Sequence, residues 1–262
     1  MEILVCARRV PDTSENEITL NAEGNDIERD ELVYSVNEAD NYAVEEALRI
    51  RDRFGGTVTV VTVGGEEDEE VLRRQLAMGA NQAALLSDDG FSGSDGRGIA
   101  TILKGFVQKG HYDLILTGVQ AEDGAAQVGG MLAAMLDYPF ASLVNSISVE
   151  NDKLIVSREI EGGNKEINEI ELPCVLAIQT GINEPRYVGM RGIRQVASVP
   201  IPTLGASDLG VNPATVGAQV AKVKRIDYFV PTLDSGAEML HGSREENAEK
   251  IIELVAAKGG LK

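Results

Sequence analysis

The sequence predicts an α/β fold: a mostly parallel twisted sheet with helices on both faces, a nucleotide-binding crevice, antiparallel hairpin additions and an extended C-terminal arm. Three observations predict it. Short apolar runs alternate with helical patterns through about the first 140 residues, the signature of β-α-β units. The run Thr57-Val58-Thr59-Val60-Val61-Thr62-Val63 is β-branched throughout, as a buried parallel strand should be. Beyond Pro139 the period changes to alternating apolar and polar residues broken by turn formers.

The elements follow in order. Ile3 to Cys6 reads as a buried strand. Asn41 to Phe54 gathers Tyr42, Val44, Ala47, Leu48 and Ile50 near one helical face, and Gly55-Gly56 ends that helix. Thr57 to Val63 is the second strand. Glu66 to Met78 is the next helix, with acidic residues in its first turn to suit the helix dipole. Ala83 to Ser87 is a strand, Ile99 to Lys109 a helix, Leu114 to Thr117 a strand, and Gly124 to Leu136 a small-residue helix stopped by Pro139. Leu143 to Val149, Lys153 to Ile160 and Ile167 to Glu171 read as hairpin strands separated by Asn151-Asp152 and Gly162-Gly163-Asn164. Cys174 to Ile178 is a last buried strand. Residues 183–235 are loop-rich, and Ser243-Arg244-Glu245-Glu246 is a capping box that opens a final helix to about Ala257. We expect an α/β adenine-nucleotide-binding domain over 1–199 and an arm with its helix over 200–262, since the latter has little apolar content for a core of its own.

Composition narrows the function. The 262 residues carry a net charge of −18, which repels nucleic acid and anionic lipid, and no apolar run is long enough for direct membrane insertion. Two cysteines and two histidines argue against a disulfide framework and a zinc site, so no metal is expected. With no recognisable leader, the expected compartment is cytoplasmic. No acid/base pair or nucleophile constellation is evident from spacing, which favours a binding or carrier role over group transfer.

One stretch carries the ligand argument: Gly118-Val119-Gln120-Ala121-Glu122-Asp123-Gly124-Ala125-Ala126-Gln127-Val128-Gly129-Gly130-Met131. It follows a strand and opens a helix, so it lies at the carboxyl edge of a parallel sheet, where ligands bind. Small residues allow close backbone approach, and the N–H groups of a helix start attract phosphate. The alternative is a tight turn with helix–sheet packing through Gly129 and Gly130. Lacking the Lys-Ser/Thr that follows the glycines, it is not a P-loop. Cys6-Ala7 and Val63 end two further strands and point to the same crevice, where Cys6 and Val63 can pack on an adenine ring.

A further ordered set consists of Val36-Asn37-Glu38-Ala39-Asp40, Ala43-Val44-Glu45-Glu46-Ala47, Leu76-Ala77-Met78-Gly79-Ala80, Gly118-Val119-Gln120-Ala121 with Gln127-Val128-Gly129, Arg158-Glu159-Ile160-Glu161-Gly162-Gly163, and Asn183-Glu184-Pro185-Arg186-Tyr187. With these the chain resembles the beta subunit of electron-transfer flavoproteins, from residue 3 to about 230. The resemblance implies a heterodimer with an alpha subunit that holds a redox-active FAD. It implies AMP as a structural ligand in this subunit, or a second FAD in electron-bifurcating members. The matched ligand positions are Cys6, Asn37, Glu38, Ala39, Asp40, Val63 and Ala121 to Met131. It also implies a carrier that takes electrons from a flavoprotein dehydrogenase, such as an acyl-CoA dehydrogenase, and delivers them to a quinone reductase or other acceptor. A short loop around Tyr187, Met190, Arg191, Ile193 and Arg194 would dock the dehydrogenase, with Met190 at the apolar anchor position. The chain departs from the family pattern in three places. The 121–126 loop is one residue short and lacks a hydroxyl residue, Val216 to Val223 lacks the Gly-Ser-Pro-Thr-type insert expected in electron-bifurcating members, and the lysine-rich run that many members carry after Ile193 is missing. A stand-alone adenine-nucleotide sensor is the rival reading from another class.

Overall fold

The computed structural model describes residues 1–121, 124–150, 153–231, 236–237 and 239–260. Eleven strands and seven α-helices are present among them, in the order β1 (Glu2–Cys6), β2 (Arg9–Pro11), β3 (Tyr34–Val36), α1 (Glu38–Phe54), β4 (Thr57–Val63), α2 (Glu69–Met78), β5 (Gln82–Leu86), α3 (Gly96–Val107), β6 (Leu114–Gly118) and α4 (Val128–Leu136). They continue with β7 (Phe140–Glu150), β8 (Lys153–Ile160), β9 (Asn164–Glu171), β10 (Cys174–Ile178), α5 (Met190–Val196), β11 (Thr203–Leu204), α6 (Ala206–Leu209) and α7 (Arg244–Ala257).

Nine strands form one sheet in the order β11-β5-β4-β1-β6-β10-β7-β8-β9. Pairing is parallel from β11 to β7 and antiparallel through β7-β8-β9. Both faces are covered, so the central strands are apolar in each direction: Ile3 and Val5 of β1 face one cluster, Leu4 the other. The first cluster is built with α1 and α2 (Ala43, Val44, Leu48, Val71, Leu72), the second with α3, α4 and α6 (Ala100, Ile102, Leu103, Leu132, Leu209). The expected α/β class with antiparallel additions is thus the observed one.

Three boundaries differ from expectation. Helix α4 starts at Val128 rather than Gly124, because Ala126 sits in the left-handed region at φ +53 and cannot continue a helix. The segment expected to dock as a loop is a short helix, α5, and Gly189 in extended conformation starts it. The expected division near residue 200 falls inside a compact unit. That unit comprises Met1–Ile18 and Arg29–Ile226, because β11 pairs with β5 and Ala206, Leu209, Val211 and Val216 join the second cluster. The second unit is Thr19–Glu28 with Asp227–Lys262. It holds the Leu20–Ile27 bridge and α7, whose N-cap is the predicted capping box: Ser243 Oγ accepts from the Glu246 N–H at 3.2 Å, and Glu246 Oε2 accepts from the Ser243 N–H at 2.8 Å. The turn expected at Asn151-Asp152 lies outside the described residues. Among the described residues no helix is long and apolar enough to cross a membrane.

Candidate functional site

The chain leaves β1, by way of β2 and β3, for α1 on one face of the sheet. It leaves the neighbouring strand β6 for α4 on the other face. The carboxyl ends of β1 and β6 are therefore a topological switch point, where an open α/β sheet has its crevice. Asn37 and Asp40, both almost fully buried, bracket it. Asp40 Oδ2 accepts from the Arg8 N–H just past β1 at 2.8 Å, and Oδ1 accepts from the Gly118 N–H at the end of β6 at 2.9 Å. The Asn37 N–H donates to the Arg8 carbonyl at 2.8 Å, and its Nδ2 donates to the Gln120 carbonyl at 3.1 Å. Burial pushes the Asp40 carboxyl up to about 7, against the opposing pull of Asn37, the Gly118 and Arg8 amides and the Arg8 charge. Ala39 is buried, and a Cβ at Gly118 would lie 2.4 Å from Asp40 Oδ1 and 2.8 Å from the Ala39 Cβ, so only glycine fits there. Glu38 is exposed.

Of the other predicted ligand residues, Cys6, Val63, Val128 and Met131 all pack against the second cluster, on the α3/α4 face. Ala7 turns to the opposite face, against the first cluster. Burial pushes the Cys6 thiol up, with the Asp40 charge adding to it, so Cys6 is a neutral packing surface and no nucleophile. Cys174, pushed up to about 12 by burial, is equally inert. Gln120 and Gly124 close a turn through Gln120 Nε2 to the Gly124 carbonyl at 2.9 Å, and Ala121 accepts from the Gly124 N–H at 2.9 Å. Ala125 is exposed beside left-handed Ala126, while Glu122 and Asp123 lie outside the described residues. The first intrahelical bond of α4 runs from the Met131 N–H to the Gln127 carbonyl, so the N–H groups of Val128, Gly129 and Gly130 precede it. Those groups fit an anionic phosphate. Packing also favours glycine at 129, where a Cβ would meet Thr117 Oγ1 at 2.9 Å, whereas one on Gly130 would only touch Phe140 at an ordinary 3.4 Å. Gln127 abuts Gly96 at the start of α3, so two helix N-termini lie side by side. Asp95, the N-cap of α3, accepts from Gly98, Lys222 and Val223 N–H groups and draws residues 217–223 along this edge.

Sequence reasoning missed Thr117 and Asp95. Thr117 is buried at the end of β6 with its hydroxyl unpartnered, and nothing in a strand-end threonine announces that. Asp95 was readable as an N-cap, but its partners 222 and 223 were not.

The residues expected from the sequence to dock a partner form a second locus, on α5 and the turn before it. Tyr187 is 93% exposed and Met190 67%. Arg191 and Arg194 are exposed, and Ile193 is half-buried. Gly192 faces the end of α2, where a Cβ would lie 3.6 Å from the Ala77 carbonyl oxygen.

A family model described as "Electron transfer flavoprotein domain" matches residues 25–209. The electron transfer flavoprotein subunit beta of Methylophilus methylotrophus is 35% identical over 97% of this chain and 98% of its own length. This chain belongs to the electron transfer flavoprotein beta-subunit family. The caffeyl-CoA reductase–Etf complex subunit CarD of Acetobacterium woodii is 38% identical over 93% of each chain. Protein FixA of Azotobacter vinelandii is 31% identical over 98% of this chain and 94% of its own. The family match covers the Asn37–Asp40 bracket, the end of β6, the start of α4, and α5 and α6. Among the described residues no three His, Cys, Asp or Glu side chains are grouped to hold a metal ion.

Proposed function

We propose that this chain is the beta subunit of a heterodimeric electron-transfer flavoprotein. It carries electrons between flavoprotein dehydrogenases, such as acyl-CoA dehydrogenases, and a quinone reductase or other acceptor. The alpha subunit holds the redox FAD, which accepts and releases the electrons. The beta chain holds AMP at the switch point and presents Tyr187 to Arg194 to the dehydrogenase. The observation that carries this reading is the bracketed crevice, with Cys6 and Val63 on its apolar wall and the first turn of α4 offering N–H groups to a phosphate. AMP there adds no redox chemistry, and its part is to tie β1, β6 and α4 together. Exposed Ile226, Phe229, Val230 and Met239, with Ile251, Ile252, Leu254 and Val255 of α7, support a C-terminal arm that wraps the alpha subunit and disfavour a stand-alone sensor.

A second reading is FAD in place of AMP and electron bifurcation; the similarity to CarD, a subunit of a reductase–Etf complex, fits a chain that works within a larger redox assembly. Co-expression with an alpha chain, followed by an absorbance scan and analysis of nucleotide released on denaturation, tests both. One FAD and one AMP per dimer supports the carrier, and two FAD supports bifurcation. No adenine compound beyond the alpha-subunit FAD refutes the crevice assignment.

A further inference from the structure

Two carboxylates stand next to each other on α1, Glu45 and Glu46, and both are buried, at 6% and 8% exposure. Adjacent buried acids destabilise a helix unless each is paired. Their partners lie about 140 residues away in sequence, in the Asn183–Arg186 turn. Arg186 grips Glu45 with Nε on Oε2 at 2.8 Å and Nη2 on Oε1 at 3.1 Å, and its own N–H donates to Oε2 at 3.2 Å. Asn183 Nδ2 donates to Glu46 Oε2 at 2.9 Å and to the Tyr42 carbonyl at 3.0 Å. The far end of the same segment is held from α2. Arg73 Nη1 donates to the carbonyls of Val196 and Val199 just where α5 ends, and Glu69 fixes the guanidinium from the other side at 2.7 Å. Between these two holds, Tyr187, Met190, Arg191 and Arg194 face solvent.

We infer that Glu45 and Arg73 are positioning residues for docking: they clamp the two ends of residues 186–199, so that the exposed stretch meets its partner already ordered. The inference rests on the reading that Tyr187 to Arg194 is the docking surface. The gain is entropic, since a segment ordered beforehand loses less freedom on contact. A bidentate guanidinium–carboxylate pair is the geometry that gives such fixing, which neither a lysine nor a glutamine reproduces.

The test uses the full heterodimer in two measurements. Trypsin cleavage after Arg191 and Arg194 reports the order of the segment without any partner. Glu45→Gln, Arg186→Gln and Arg73→Met should each raise the cleavage rate about tenfold. The Glu45→Gln/Arg186→Gln double variant should be cut no faster than the worse single, because both remove one interaction. The second measurement is steady-state electron transfer from a dehydrogenase that reduces the wild-type heterodimer. Glu45→Gln should raise KM for that dehydrogenase severalfold with kcat and nucleotide content unchanged, a split that a purely structural role would not produce. Wild-type cleavage rates in the single variants, multiplying effects in the double, or faster cleavage with unchanged KM would each overturn the inference. Met190→Ala separates the two levels: an unchanged KM in that variant refutes the docking surface itself, and the positioning role falls with it.

Discussion

The tightest contact at the crevice is also the most informative to perturb. Gly118 ends β6 with the start of α1 pressed against it, and an added methyl group would sit 2.4 Å from Asp40 Oδ1. That is roughly 0.6 Å below the 3.0 Å that real methyl groups reach, and the next neighbours are the Ala39 Cβ at 2.8 Å and its backbone carbon at 3.0 Å. Neither backbone can yield cheaply, since Asn37 and Asp40 tie α1 to both strand ends. Gly118→Ala must therefore push α1 off β6 and lengthen the Gly118 N–H to Asp40 bond. Overpacking costs about 1–3 kcal/mol, and losing a hydrogen bond to a charged group costs about 1.5–3 kcal/mol. Together they come to about 2.5–6 kcal/mol, or a fall in Tm of roughly 5–24 °C for a chain of this size. The bound nucleotide should be lost in parallel, because the crevice is defined by those strand ends. Calorimetric melting and nucleotide extraction measure the two effects side by side. Gly236→Ala, where a Cβ meets nothing within 4 Å, is the control. A Gly118→Ala protein that melts within about 2 °C of wild type and keeps its nucleotide would refute the bracket as the organiser of the site.

Three other outcomes are expected. Burial raises the Asp40 carboxyl from 3.8 to about 7, so the folded chain takes up a proton between those values that the unfolded chain does not. Wild type should accordingly gain stability relative to Asp40→Asn as pH falls from 8 to 5, by up to about 1.4 kcal/mol per unit, in urea titrations at each pH; parallel curves would show that the carboxyl does not titrate in this window. On the proposed docking role, burying exposed Met190 in a partner is worth roughly 1.5–3 kcal/mol, so in Met190→Ala the half-saturation concentration of the dehydrogenase should rise about tenfold to a hundredfold while the melting temperature stays put. Deleting residues 236–262 should weaken pairing with the alpha chain in sedimentation or titration calorimetry and leave the melting of the α/β unit unchanged, since every residue of α7 except half-buried Asn247 is exposed.

What the sequence discloses depends on how local its cause is. Strands β1, β4, β6 and β10 are legible because burial on both faces leaves them almost purely apolar, and the start of α7 is legible because Ser243 and Glu246 satisfy each other within one turn. The pair β2 and β3 is three residues a side, too short to show a period, held by the Val36, Ser35 and Tyr34 register and by the Arg9 guanidinium 3.7 Å from the Tyr34 ring centroid, and nothing in either tripeptide shows it. The two-residue strand β11 exists only because β5 offers an edge. The late start of α4 depends on one alanine at φ +53, a conformation that alanine does not advertise.

The crevice divides along the same line. Its place was legible, because strand ends and a glycine-rich helix start are local patterns. The work done by its side chains was not, because Asp40 reaches Arg8 across 32 positions and Gly118 across 78. This has a consequence for ligand choice. Asp40 spends both carboxylate oxygens, and Asn37 its Nδ2, on backbone at the protein's own strand ends, and Cys6 and Val63 offer only apolar surface. Among the described residues, what is left for a nucleotide is chiefly backbone N–H at the start of α4 and an apolar wall, contacts that AMP and the AMP half of FAD satisfy equally. On the proposed reading, the choice between the two then falls to whatever lies beyond the first phosphate. In this chain that is the α3 N-terminus beside Gln127 and the 217–223 segment that Asp95 holds along it. Asp95→Ala, which frees that segment without touching the bracket, should therefore alter the ratio of AMP to FAD recovered and leave total adenine nucleotide constant; an unchanged ratio would return the choice to the bracket and the α4 turn.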